Sequence, residues 1–157
     1  MSNDVSELMQ AQYRRRDDLV LAEVLRRGRL DLSIFEAAAT GDSERVLEIL
    51  EQDSGAARAV AADGYTALHL AAFFGRAPAA AALLAFGADP NAEVARRGLR
   101  PLHSAAAAGS VEIARTLLEA GAEVDAVQEG GFTAMDAALQ NGDEALIELL
   151  RGWAARK

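Results

Sequence analysis

The sequence predicts an all-α fold, an array of stacked helix-turn-helix units, and three observations carry the prediction. The first is a register of glycines. Gly64 to Gly98, Gly75 to Gly109 and Gly87 to Gly121 are each 34 positions apart, and Gly98 to Gly131 and Gly109 to Gly142 are 33 apart, a spacing that marks repeat architectures. The second is punctuation: Pro78 falls in the first turn of an apolar run and Gly87 follows its end, the expected asymmetry of helix starts and stops. The third is composition. Hydrophobic residues make up 51% of the chain but aromatics only 5%, so Ala, Leu and Val must fill an interior in which helices approach closely.

The best copy of the unit runs from Asp63 to Asn91. It reads Asp63-Gly64-Tyr65-Thr66-Ala67-Leu68-His69-Leu70-Ala71-Ala72-Phe73-Phe74-Gly75, then an apolar run closing in Leu83-Leu84-Ala85-Phe86-Gly87-Ala88-Asp89-Pro90-Asn91. The next copy reads Gly98-Leu99-Arg100-Pro101-Leu102-His103-Ser104-Ala105-Ala106 and closes in Leu117-Leu118-Glu119-Ala120-Gly121-Ala122-Glu123. This unit resembles the ankyrin repeat, with its Thr-Pro-Leu-His-x-Ala signature. Each copy departs from it somewhere: Ala67 replaces the Pro, Arg100 replaces the Thr, and the fourth copy reads Gly131-Phe132-Thr133-Ala134-Met135-Asp136. The resemblance implies an ankyrin-repeat solenoid with short connecting hairpins, in copies at about 31–62, 63–96, 97–129 and 130–157.

Ahead of them, Val5, Leu8, Met9, Tyr13, Val20 and Val24 form a helical stripe interrupted by charge. Residues 1–30 read as an N-terminal helical cap over the first repeat. In the divergent first copy, Ile34 to Gly41 aligns with Leu68 to Gly75, so Phe35 takes the place of His69. Asp42 or Ser43 caps its second helix, whose apolar face is Val46, Ile49 and Leu50. Asp53 to Asp63 matches the hairpin pattern poorly and reads as a loop. Thr66 is the natural N-cap of the second copy. Arg100 cannot cap in that way, so its helix start is expected to be weaker by about 1 kcal/mol unless Pro101 compensates. In the fourth copy Arg151 stands where Leu84 and Leu118 stand earlier, a polar exchange suited to an uncovered end. Trp153 reads as packing over that end or as an exposed contact residue.

Several classes of function are disfavoured. A net charge of −8 opposes general affinity for nucleic acid, since phosphate binding rests on Lys and Arg. There is no cysteine, hence no thiolate nucleophile or metal thiolate. No signal peptide is evident in Met1 to Gln12, and Ala77 to Phe86 is too short an apolar run to cross a bilayer. The default location is cytoplasmic. His69 and His103 recur one repeat apart, roughly 8–10 Å, too far to share a metal ion at ~2 Å. The resemblance implies that they tie each helix start to neighbouring backbone. With no nucleophile elbow and no phosphate-cradling loop, neither an enzyme nor a cofactor is expected.

A stack of this kind offers an extended surface without a pocket. The resemblance implies that partners meet the hairpin tips and the exposed positions of the first helices. Transferred to this sequence, these are Tyr65, Phe73, Phe74, Arg96, Arg97, Leu99, Arg100, Glu129, Phe132, Gln140 and Asn141. Tyr65, Leu99 and Phe132 hold one place in successive hairpins, and Arg96, Arg97 and Arg100 concentrate positive charge. Aromatics and arginine are the types enriched at interface hot spots. The expected function is therefore a non-catalytic adaptor or regulator that binds a protein, most simply as a monomer. The alternatives are a self-associating structural protein, with Trp153 or the N-terminal helices as a homodimer seam, and a regulatory or inhibitory subunit of a co-encoded enzyme.

Overall fold

The computed structural model describes residues 31–94 and 97–156; the helical cap expected over residues 1–30 lies outside them, as does Arg96. Among the described residues, eight α-helices follow one another: α1 (Ile34–Thr40), α2 (Ser43–Gln52), α3 (Ala67–Phe73), α4 (Ala77–Ala85), α5 (Pro101–Ala108), α6 (Val111–Glu119), α7 (Ala134–Asn141) and α8 (Glu144–Ala154). They form four antiparallel pairs. The only extended pairing among these residues is two isolated bridges, Val60 with Thr66 and Val94 with Leu99.

Short side chains fix where the first helices begin. The Thr66 hydroxyl accepts from the His69 amide at 3.3 Å, and the Thr133 hydroxyl accepts from Asp136 at 3.2 Å. Ser33 does the same for Glu36 at 3.1 Å while the Glu36 carboxylate accepts from the Ser33 amide, a reciprocal pair that satisfies two otherwise orphaned donors. Asp42 and Asp143 cap second helices, accepting from Arg45 and Leu146. Arg100 gives no side-chain cap; Pro101 compensates in part by removing one amide that would need a partner. Gly41, Gly109 and Gly142 end first helices in the left-handed region, at φ of 84°, 72° and 64°, where a Cβ would be strained.

Each pair buries too little to stand alone. Leu50, Leu83, Leu117 and Leu150, one from each second helix, are buried completely or nearly so, each contributing about 2 kcal/mol relative to exposure. Opposite them, Ala38, Ala72 and Ala106 hold the same place in successive first helices and are fully buried. Because these are small, the first helices pack against one another more extensively than the second helices do, so the stack curves with α1, α3, α5 and α7 on its inner side. At the matching place in the fourth copy Leu139 is 53% exposed, and Arg151, aligned with buried Leu118, is exposed too.

The segment after α2 is more ordered than its sequence suggests. Asp53 accepts from the Gly55 amide and starts a 3-10 turn over Ser54–Arg58 that buries Ala57. The Ala61 amide then donates to the Tyr65 carbonyl at 2.9 Å, so a hairpin does form where a loop was expected.

Candidate functional site

His69 is fully buried and joins two repeats. Its Nδ1 accepts from the Thr66 amide at 3.3 Å, which leaves the proton on Nε2 to be donated to the Leu99 carbonyl of the next hairpin at 2.9 Å. That carbonyl also accepts from the Val94 amide at 2.9 Å, so one atom closes the hairpin and holds it to the preceding helix. His103 repeats the arrangement one unit on, accepting from the Arg100 amide and donating to the Ala126 carbonyl at 2.9 Å. Burial lowers the His69 pKa from 6.5 to about 4, against weaker raising effects of its backbone bonds. His103 is also lowered, again chiefly by burial. Both imidazoles are neutral structural ties. In the fourth copy the Asp136 carboxylate takes the histidine's place and accepts from the Thr133 amide at 2.8 Å. Among the described residues no group of three or more His, Asp or Glu could hold a metal ion, and no helix is long and apolar enough to cross a membrane.

The hairpins fasten to one another as well as to the helices. The Glu129 amide donates to the Arg97 carbonyl at 2.6 Å. Asn91 spans to the following unit, donating to the Gly121 carbonyl and accepting from the Glu123 amide.

Two of the residues expected to face a partner are committed inside the molecule. Tyr65 is only 8% exposed, because its ring packs edge-on against His69, with centroids 5.7 Å apart. It is a wall of the structure and not a projecting anchor. The Arg100 guanidinium bonds Glu123 at 3.1 Å, Glu93 at 3.2 Å and the Asn91 amide oxygen at 3.4 Å. Its charge, expected to face an acidic patch on a partner, is met by its own chain. Phe74 packs half-buried against the core. Trp153 is likewise half-buried there, with Arg156 over its ring at 4.3 Å.

The remaining candidates line the side of the stack made by the hairpins and the first helices. Arg97 and Glu129 are exposed, as are Gln140 and Asn141 at the end of α7. Asn141 also reaches the Ala107 carbonyl at the end of α5, at 3.4 Å. Phe132 is 44% exposed, while Phe73 and Leu99 are half-buried. The structure brings Tyr65, Phe73 and Leu99 together as walls of a cleft of about 150 Å³, contrary to the expectation of a surface without a pocket. The cleft exists because the copies are unequal. Aligned on Gly75, Gly109 and Gly142, Leu70 of α3 corresponds to Ser104 of α5 and Ala137 of α7, and Phe73 corresponds to Ala107. His103, Ser104, Ala107, Gln128, Thr133 and Ala137 complete its lining. Sequence reasoning overlooked Ser104, Ala137 and Gln128. The signal was that in-register loss of side-chain volume.

Helix pairs stacked in one direction, joined by hairpins and tied by a buried histidine, define a helical repeat solenoid. A family model described as ankyrin repeats (3 copies) matches residues 34–128 and 94–156, and the chain belongs to the ankyrin repeat family. Ankyrin repeats are generally protein–protein interaction modules and the family is typically non-catalytic. No curated protein matches this chain.

Proposed function

We propose that this protein is a non-catalytic adaptor or regulator that works as a monomer and binds a protein partner across its hairpins and first helices. The observation that carries the reading is Phe132, a large apolar side chain left 44% exposed one residue from Thr133 in the cleft lining. Arg97 and Glu129 stand exposed beside it on adjoining hairpins, and neither forms an ion pair among the described residues. An exposed apolar residue with exposed charges on its own and the preceding hairpin has the composition of an interface patch. Fold alone would not separate this from other roles; the exposed group supports it.

The test is affinity capture from the source cell with Phe132→Asp combined with Arg97→Glu. The fold of the variant is checked by circular dichroism. Loss of one or more specific partners, with α-helical signal and thermal midpoint retained, is the expected result. An unchanged set of partners at unchanged yield overturns it.

A further inference from the structure

We propose that the cleft between the second and fourth repeats is a socket for one large apolar side chain on an extended segment of the partner, and that a single carboxylate next to that side chain pairs with Arg97. This rests on reading the face as protein-binding and gives that reading a chemistry.

The size of the socket comes first. A cleft of about 150 Å³ matches a benzene-sized or leucine-sized group, as apolar cavities of that volume do. Its walls are the Tyr65 and Phe73 rings and the Leu99 side chain, so an aliphatic or aromatic occupant exchanges water for apolar contact on several sides. At the places where Ser104 and Ala107 line this cleft, the preceding repeat carries the larger Leu70 and Phe73.

Polar groups distinguish a peptide from a plain hydrocarbon. Ser104 and Gln128 both line the cleft, and among the described residues neither side chain makes a hydrogen bond. Both are placed to bond the main chain flanking an inserted side chain, as extended-peptide recognition requires.

Charge sets the neighbour. Among the described residues the Arg97 guanidinium donates only to the Tyr65 hydroxyl, at 3.4 Å, which holds it at the cleft wall with donors to spare. Arg100, a few residues away, is already neutralised by Glu93 and Glu123. Among the described residues Arg97 is the exposed cation beside the cleft that no ion pair meets, and it fits one carboxylate. The chain's net charge of −8 penalises a longer acidic run on the partner.

The test selects a random peptide library displayed on phage against the full chain. The expected consensus has Leu, Met or Phe within a few positions of Asp or Glu. Ala107 is exposed, so Ala107→Phe refills the socket without disturbing the core, and selected peptides should bind it about tenfold to a hundredfold more weakly, as when one large apolar side chain loses its burial. Ser104→Leu, which copies Leu70, should do the same. Arg97→Glu should exchange the acidic position of the consensus for Lys or Arg. A consensus without an apolar residue, no enrichment at all, or full binding to both Ala107→Phe and Ser104→Leu overturns the socket. If selected peptides respond only to Phe132→Asp, the socket fails while the binding face stands. If cellular partners ignore every one of these variants, the face fails with it.

Discussion

His69 makes the stability of the stack depend on pH in a way that can be worked out in advance. The imidazole titrates near 6.5 in an unfolded chain and near 4 in the fold, because burial disfavours its charged form. As pH falls the unfolded chain takes up the proton first. The contribution is therefore fully present above about pH 6.5 and is lost as pH descends towards about 4. The whole difference is about 3 kcal/mol, of which about 2 kcal/mol disappears between about pH 7 and about pH 5. His103 adds to this with the same sign, since burial lowers it as well. Urea denaturation followed by far-ultraviolet circular dichroism at about pH 7, 6 and 5 measures the slope. His69→Gln, which cannot titrate, should be less stable at neutral pH for want of the tie to Leu99 but lose about 2 kcal/mol less on acidification. A flat profile for the unmodified chain, or an identical slope in the variant, would show that the buried imidazole does not resist protonation as argued.

Three further outcomes follow from local geometry. Gly109→Ala should cost about 1 kcal/mol, the strain of a left-handed residue, because the nearest atom to the new Cβ, on Asp143, is at an ordinary 3.5 Å. Gly41→Ala should cost about 2 kcal/mol. Its Cβ would come within 2.9 Å of Arg76 and dislodge the bond from that guanidinium to the Ala39 carbonyl; equal losses by urea titration would count against the argument. Arg100→Ala should lose about 1 kcal/mol at low salt and less at high salt, since it leaves Glu93 and Glu123 without their shared cation. Its partners should be captured as before, because Arg100 is turned to its own chain.

The repeat register, the helix stops and the capping role of Thr66 were legible because they are local. A hydroxyl bonds an amide three residues on, and a glycine ends its own helix. The place of His69 followed from the family pattern, and the structure supplies its reach to a carbonyl 30 residues away. What was not legible depends on separations that no local pattern carries. Tyr65 is covered by its packing on His69 and by the neighbouring hairpin, from which Arg97 reaches its hydroxyl 32 residues on. Glu93 and Glu123 come to Arg100 from seven residues before it and 23 after. The cleft is written in three unremarkable small residues, and only their alignment with Leu70 and Phe73 reveals missing volume. The Ser33–Glu36 pair was readable by spacing and was overlooked because the first copy diverges so far from the others.

The histidine clasps all point one way, from each unit to the hairpin that comes after it. Phe35 in the first copy has no such reach, and Asp136 in the fourth bonds only its own helix start. Trimming the array is therefore asymmetric. Losing the first copy severs no imidazole clasp, whereas stopping the chain before Ala126 strands the proton of His103 in a nearly dry interior. Any shortened derivative of this array is better made by cutting from its beginning.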